Sequence, residues 1–182
     1  MPIRDRTSAE GHCVRALCLL CGAADVAAEY GDDGLRCACE RCFDNIVNKR
    51  MYITGGVGST RIGEAFTVDY DLPNRTAYAE TCAAIALAMF AQHMLMFGAD
   101  SRYADAVERV IYNGALSGVS MDGTSFFYEN PLETDPEFNC VNESEGAVSE
   151  NSTLRNFRLF VLPAEHTQIR GVARRIHIRH RQ

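Results

Sequence analysis

The chain has 182 residues, 47% hydrophobic and 23% charged, which is enough for one domain with a hydrophobic core and ordinary for a soluble globular protein. No stretch approaches the roughly 20 apolar residues of a membrane span, and the N-terminus shows no basic-then-apolar secretion signal. We therefore expect a cytoplasmic protein without a membrane partner. Eight cysteines in such a chain predict reduced thiols and argue against a disulfide framework.

Two helices are predicted at the start of the chain, over residues 8–29 and 34–49. Ser8 can cap the first helix, Gly31 can end it, and either aspartate after Gly31 can cap the second. The apolar stripe of the first helix comprises Val14, Leu17, Cys18, Cys21, Ala24, Val26 and Ala28. That of the second comprises Leu35, Cys39, Cys42, Phe43 and Ile46. We expect these helices to form an antiparallel hairpin.

The connection over residues 55–82 is the most informative stretch of the sequence. A connection of this length without a period of its own is usually a functional loop or disorder. Disorder is disfavoured by five large apolar residues, Phe66, Val68, Tyr70, Leu72 and Tyr78. The same stretch concentrates side chains that transfer protons or bind metals, namely Glu64, Asp69, Asp71, Glu80 and Cys82. We interpret it as an active-site loop between two helices.

Two further helices are predicted after the loop, over residues 79–97 and 102–117. The first is apolar nearly all round, as expected of an inner helix. The second can be capped by Asp100 or the serine after it, and its apolar face comprises Tyr103, Val107, Val110, Ile111 and Leu116. A turn at 122–123 then predicts a short β-hairpin. Because no strand alternates with the helices, we predict an all-α fold with this minor β element.

Four motifs in the long connection resemble one enzyme family. Gly-Gly-Val-Gly-Ser-Thr, Gly-Glu-Ala-Phe, Asp-Tyr-Asp-Leu-Pro-Asn and Tyr-Ala-Glu-Thr-Cys-Ala follow one another in the order found in glycoside hydrolase family 127. That family consists of zinc- and cysteine-dependent β-L-arabinofuranosidases, and the resemblance runs from Gly11 to about Glu133. It implies an (α/α)6 toroid, of which this chain is a fragment, and an arabinofuranose-containing oligosaccharide or glycoconjugate as substrate.

The resemblance implies a catalytic role for Glu64 and Zn²⁺ ligation by Glu80 and Cys82. Glu64, flanked by Gly63, matches the family's acid/base glutamate. Glu80 and Cys82 match zinc ligands, and carboxylates and thiolates are both good ligands for Zn²⁺. Positions two apart on a regular helix point roughly 200° apart, so both can bind one ion only at the irregular start of a helix. Without the motifs, a solvated loop glutamate and a small buried cysteine would be the plainer interpretation.

Four other residues are candidates for contacts to the sugar. His12, in Gly-His-Cys-Val-Arg-Ala, matches a family histidine that is expected to touch the substrate. A lone histidine on a helix is more often structural, and that alternative stays open. Tyr70, Asp71 and Tyr78 can supply contacts to sugar hydroxyl groups.

Two cysteine pairs suggest a second metal site by their spacing alone. Cys18 with Cys21 and Cys39 with Cys42 both have the Cys-x-x-Cys spacing of zinc ligands. Both pairs fall within predicted helices, whereas structural zinc pairs usually lie on turns, so core packing is the preferred interpretation. The glycine-rich run at 55–58 lacks the register of a nucleotide-binding loop and follows a helix, which argues against nucleotide binding.

The C-terminal part of the chain departs from the family. The resemblance predicts a Phe-Gly-Cys-x-Cys-Cys-Pro-Pro-Asn motif, with the nucleophilic cysteine and the remaining zinc thiolates, and the sequence does not contain it. Permitted codons for residues 157–166, read one base later, encode Phe-Gly-Cys-Ser-Cys-Cys-Pro-Pro-Asn. We therefore expect residues 1–133 to belong to the catalytic domain and residues 134–182 to be an out-of-frame tail. Residues 155–182 contain seven Arg and one Glu, a composition that would otherwise suggest a nucleic-acid-binding arm. An out-of-frame tail explains this composition without such a function.

The resemblance implies a retaining glycosidase whose nucleophile is a zinc-bound cysteine. Glu64 would protonate the leaving oxygen and then deprotonate the attacking water. This chain keeps the acid and two zinc ligands and lacks the nucleophile, so we expect it to be inactive. Two alternatives are a non-catalytic carbohydrate-binding remnant and a zinc-binding interaction module built on the first six cysteines. The sequence indicates no oligomeric state.

Overall fold

The computed structural model describes residues 2–121, 123 and 126–133, and this part of the chain is mostly helical, as predicted. Its four α-helices are α1 (Cys13–Tyr30), α2 (Asp33–Asn45), α3 (Thr81–Met94) and α4 (Ser101–Arg109). Two π-helical segments, Ile46–Arg50 and Val110–Ala115, continue α2 and α4. Short 3-10 turns occupy Ile3–Asp5, Ile62–Glu64 and Leu116–Gly118. The predicted tail, residues 134–182, lies outside the described residues.

Helix α1 begins later than the sequence predicted. Ser8 does not cap it, because residues 11–12 are extended and pair with another strand, and His12 is the residue before the first helical turn. The hydroxyl group of Ser8 instead bonds to Glu10. Gly31 ends the helix with a φ of 63°, the left-handed conformation that was expected there.

The buried face of α1 differs in part from the predicted stripe. Cys18, Val26 and Ala28 were expected to face inward and are exposed. Positions spaced by three and four residues form the real face, which comprises Cys13, Leu17, Leu20, Cys21, Ala23, Ala24 and Ala27. The three exposed residues lie off this face, so the predicted stripe had the wrong helical register at these positions.

Helix α2 packs against α1 and completes the predicted hairpin. The Asp32 carboxylate accepts a hydrogen bond of 2.9 Å from the backbone N–H of Leu35, which confirms one of the two expected caps. All five residues of its predicted apolar face, Leu35, Cys39, Cys42, Phe43 and Ile46, are buried.

Helix α3 is the inner helix that its all-round apolar sequence predicted, and it packs against both α1 and α4. Asp100 caps α4 by accepting a 2.9 Å hydrogen bond from the backbone N–H of Arg102. The inward face of α4 and its π-helical continuation holds Tyr103, Val107, Val110 and Ile111, as expected. Leu116, the last residue of the predicted face, is partly exposed because it lies in a 3-10 turn, beyond the helical register.

The described sheet consists of two two-residue strands that were not predicted. Strand β1 (Gly11–His12) pairs antiparallel with β2 (Ala65–Phe66). At the predicted hairpin, Val119 and Phe126 form a single antiparallel bridge, while part of the turn between them lies outside the described residues. Within the described ranges, no helix has the length and apolar character needed to cross a membrane.

Candidate active site

The β1–β2 pairing brings His12 and Glu64 together. In its register His12 faces Ala65, the residue that follows Glu64. The Nε2 atom of His12 lies 2.8 Å from Oε2 of Glu64. Strand β1 leads directly into α1, so this short ladder joins the first helix of the chain to the predicted active-site loop.

Glu64 lies on strained backbone and is accessible to solvent. Within the turn Ile62–Glu64, Gly63 has a φ of 71° and Glu64 a φ of 50°. A positive φ is costly for a residue with a Cβ atom and is frequent at functional sites. The Glu64 side chain is 37% exposed. Phe66, two residues further on, is buried, and the Glu64 carboxylate has polar partners.

Tyr78 is the second polar partner of Glu64. Its hydroxyl group donates a 3.0 Å hydrogen bond to Oε1, so each carboxylate oxygen of Glu64 has its own neighbour. Burial, reinforced by the hydrogen bond to Glu64, raises the pKa of the Tyr78 phenol, which therefore stays a donor. Its predicted contact to a sugar hydroxyl group would have to share a hydroxyl that already bonds to the acid/base candidate.

Glu80 lies at the irregular start of α3, where joint metal binding with Cys82 was expected. It is the residue before the helix, with φ −59° and ψ 137°, and Cys82 is the second helical residue. The Glu80 side chain is buried, with 3% of the residue exposed. Its Oε1 accepts a 2.7 Å hydrogen bond from the Tyr128 hydroxyl group. Its Oε2 is buried and has no hydrogen-bond partner in the described part of the chain.

Tyr128 is a residue of this site that the sequence analysis missed. Its ring packs edge-to-face on that of Tyr78, with centroids 6.3 Å apart. Burial and the bond to Glu80 raise the pKa of its phenol. The pair of tyrosines thus links Glu64 and Glu80 into one cluster. The only signal in the sequence was an aromatic residue in an extended run, which does not reveal its partner.

Tyr70 and Asp71 are exposed and do not join this cluster by a hydrogen bond within residues 2–121 or 126–133. Tyr70 has a φ of 65°, and its backbone N–H donates a 2.9 Å hydrogen bond to the carbonyl group of Lys49. Their predicted contacts to sugar hydroxyl groups stay predictions, and within the described residues neither side chain is hydrogen-bonded to Glu64.

Asp69 has a structural role that its position in the loop did not reveal. Its carboxylate accepts hydrogen bonds of 2.9 Å from Lys49, 2.9 Å from Asn45 and 2.8 Å from Arg50. These hydrogen bonds hold the pKa of the Asp69 carboxyl well below its usual range, and the bond from Lys49 has the largest effect. All three donors lie at the end of α2 or in its π-helical continuation, so their hydrogen bonds fasten the candidate active-site loop to the end of this helix.

The glycine-rich run at 55–58 serves close packing. Gly55 has a φ of 87°, and a Cβ atom there would lie 2.9 Å from the Cα atom of Val110. A Cβ atom on Gly58, with a φ of 96°, would lie 3.1 Å from Sγ of Cys13. The run therefore lets the loop lie directly against the π-helical continuation of α4 and the start of α1.

The core-packing interpretation of the cysteine pairs is confirmed for three of their four members. Cys21, Cys39 and Cys42 are buried, and Cys39 Sγ lies 3.9 Å from the carbonyl oxygen of Leu20. Cys18 is exposed, which contradicts the interpretation at that position. Among the residues that the structure describes, no group of three or more His, Cys, Asp and Glu side chains could hold a metal ion.

The helical hairpins and the glutamate-bearing loop define a glycosidase fold, a fragment of an α/α toroid. The crystal structure of a GH127 β-L-arabinofuranosidase from Geobacillus stearothermophilus T6 is similar, at 51% identity and a TM-score of 0.74, over 76% of this chain and 22% of that one. A second solved structure, of a glycoside hydrolase, shows 32% identity and a TM-score of 0.78, over 94% of this chain and 30% of that one.

The family follows from the sequence comparison. The family model described as Beta-L-arabinofuranosidase, GH127 catalytic domain, matches residues 1–152, and the chain belongs to this family. A curated relative, the non-reducing end β-L-arabinofuranosidase of Bifidobacterium longum subsp. longum, is 49% identical over 136 residues. That match covers 75% of this chain and 21% of the relative, so the chain spans about a fifth of that protein's length.

Proposed function

We propose that this chain is the acid/base-bearing part of a retaining β-L-arabinofuranosidase whose nucleophile is a zinc-bound cysteine. The observation that carries the proposal is the arrangement of Glu64, which is solvent-accessible, has a polar neighbour at each carboxylate oxygen and is connected to the buried Glu80 through Tyr78 and Tyr128. Membership of the GH127 family supports a carbohydrate substrate, and the activities of the similar proteins support an arabinofuranoside. A cytoplasmic location stays a prediction.

In this proposal Glu64 moves the proton at the scissile oxygen. Its exposed carboxyl group first protonates the leaving oxygen and then takes a proton from water, as in retaining mechanisms generally. His12 Nε2 and the Tyr78 hydroxyl group hold the two carboxylate oxygens, at 2.8 Å and 3.0 Å. They fix the direction of the carboxyl group, which matters because small misplacements of a catalytic group lower rates strongly.

The residues at the start of α3 fit a zinc ion. Glu80 Oε2 is a buried acceptor that has no partner among the described residues, which is costly unless a cation or donor occupies its lone pairs. The Cys82 thiol lies two residues further on and is also buried. When bound, zinc would keep a coordinating cysteine deprotonated. This chain would supply two ligands, Glu80 and Cys82, and the missing Cys-x-Cys-Cys motif would supply the others.

Zinc titration of the 182-residue chain tests this assignment. We expect Glu80→Gln and Cys82→Ser each to weaken Zn²⁺ binding by about 10-fold or more, measured by calorimetry. Cys39→Ser with Cys42→Ser is the matched control, because these buried core thiols play no part in the proposed site. A loss of binding only in that control would favour the alternative zinc-binding interaction module instead.

Turnover provides the second arm of the test. The chain as written should release no arabinose from a β-L-arabinofuranoside, because its sequence lacks the Cys-x-Cys-Cys motif. Turnover that Glu64→Gln abolishes would overturn the claim that the nucleophile is missing. Binding of L-arabinose without turnover, in a chain that takes up no zinc, would favour the carbohydrate-binding remnant.

A further inference from the structure

Arg50 is a buried cation whose contacts lie on both sides of the β1–β2 pair. Only 9% of its side chain is exposed. Its Nη1 donates a 2.7 Å hydrogen bond to the carbonyl oxygen of Ala9, and its Nη2 lies 3.1 Å from Oε1 of Glu10. Its Nε donates a 2.8 Å hydrogen bond to Asp69. One guanidinium group therefore holds the segment before β1 and the segment after β2.

Those two segments carry His12 and Glu64. Residues 9–10 lead directly into β1 and its His12, while Glu64 precedes β2 and Asp69 follows it. The ladder between the strands has only two residue pairs, too few to fix a geometry without support. Arg50 reaches both segments from the π-helical end of α2, and a planar guanidinium with several fixed donors suits such a junction better than an ammonium group.

We infer that Arg50 is a positioning residue, which sets the contact between His12 and Glu64 by clamping Ala9 and Asp69. It does not touch the reacting groups and acts through the strands that carry them. The inference rests on the proposed function only where it makes Glu64 the acid/base group. The clamp itself concerns geometry and can be tested without substrate, zinc or turnover.

Lys49 provides a matched control for Arg50. It also donates a hydrogen bond to Asp69, at 2.9 Å, but it has no described contact with Ala9 or Glu10. Arg50→Lys keeps the positive charge and removes the planar guanidinium group whose separate nitrogen atoms contact the two segments. Lys49→Arg also keeps the charge and changes only the bond to Asp69. The two variants therefore separate the clamp from a general effect of charge or of fastening the loop.

The test is the nuclear magnetic resonance spectrum of the His12 ring in the full 182-residue chain. His12→Gln identifies the ring signals by their loss, and Glu64→Gln gives their position when the partner carboxylate is missing. We expect Arg50→Lys to shift the His12 signals toward the Glu64→Gln position, and Lys49→Arg to leave them in place. The ring of His93, which pairs with Asp25 at 2.6 Å between α3 and α1, reports that the helices remain packed.

Two results would overturn the inference. The first is an Arg50→Lys variant with wild-type His12 signals, and the second is an unchanged His12 spectrum in Glu64→Gln. If Arg50→Lys disturbs His93 as well, Asp69→Asn replaces it, because that change opens the clamp on the β2 side and keeps Arg50. Unshifted His12 signals in Asp69→Asn would then count equally against the clamp. Failure of the zinc or turnover assays would leave this outcome unaffected.

Discussion

The buried cysteines of the helical hairpin show how burial alone decides the behaviour of a side chain. Burial raises the pKa of the Cys21 and Cys39 thiols to about 12 each. Loss of hydration disfavours a thiolate in an apolar core, and the thiolate is the form that reacts with electrophiles. Cys18, on the same helix as Cys21, is exposed to solvent. The Cys-x-x-Cys spacing of this pair therefore joins one core residue and one surface residue.

Alkylation of the native chain should separate these thiols. We expect iodoacetamide at neutral pH to modify Cys18 rapidly and to modify Cys21 and Cys39 only after unfolding in urea. Tandem mass spectrometry, which locates the modification at individual cysteines within each peptide, measures the rates separately. Equal native rates for Cys18 and Cys39 would contradict the packing of the hairpin, and zinc that protected both pairs would support the interaction module.

The backbone of the glycine-rich loop lies in close contact with the backbone of the π-helical continuation of α4. The contact requires a residue without a Cβ atom at position 55, both because φ is 87° and because the Cα atom of Val110 lies so near. Gly114, on the same segment, lies close to the carbonyl oxygen of Thr54. A π-helical turn widens the helix here, and such turns are frequent beside functional sites.

Gly55→Ala should therefore destabilise the chain by about 2–4 kcal/mol, measured by urea unfolding. The matched control is Gly22→Ala in the middle of α1, where a Cβ atom would meet nothing within 4 Å. That substitution should stabilise the chain by about 0.5–1 kcal/mol, because alanine loses less conformational entropy in a helix. Similar effects of the two substitutions would contradict the close contact at Val110.

The fastening of the active-site loop at Asp69 predicts a dependence of stability on pH. Hydrogen bonds from Lys49, Asn45 and Arg50 lower the pKa of this carboxyl group in the folded chain. Such a group contributes stability above its unfolded pKa of about 3.9, and the contribution is lost as pH falls through the lower folded pKa. Asp69→Asn should thus unfold at a lower urea concentration than wild type at pH 7, and the difference should shrink below about pH 4.

The control for Asp69 is Asp33→Asn, because the Asp33 side chain is 85% exposed and, among residues 2–121 and 126–133, pairs only with its helical neighbour Arg36. At pH 7 that change should alter the free energy of unfolding by less than about 0.5 kcal/mol. A difference between Asp69→Asn and wild type that stays constant from pH 7 to pH 3 would argue against the proposed fastening.

Elements with a strong hydrophobic period could be predicted from the sequence, and contacts between distant segments could not. The inner helix α3 and the face of α2 follow directly from their apolar residues, and Gly31, Asp32 and Asp100 end or cap helices as expected. The β1–β2 ladder is too short to leave a pattern of alternation, so the start of α1 was placed too early. Glu64, Glu80 and Cys82 came from motifs, whereas the partner Tyr128 depends on folding.

Several large apolar side chains are exposed in the part of the chain that the structure describes. Ile53, Ile62, Val68 and Met121 are all exposed in the described structure. The relatives that match this chain are about five times as long as the matched segment.

The nucleotide sequence across codons 130 to 182 tests the last proposal, which concerns the missing nucleophile. We expect a one-base insertion or deletion between about codons 134 and 157, downstream of which the shifted frame reads Phe-Gly-Cys-x-Cys-Cys-Pro-Pro-Asn. Correcting it should give a chain with the full set of thiolates, and a gene extended to the length of the relatives should hydrolyse β-L-arabinofuranosides. That activity should require Glu64, because acid/base catalysis contributes about 10²–10⁴-fold to such reactions. A gene that encodes the present tail in frame, with the motif in none of its reading frames, would show that the nucleophile is truly absent and would leave sugar binding as the function to test.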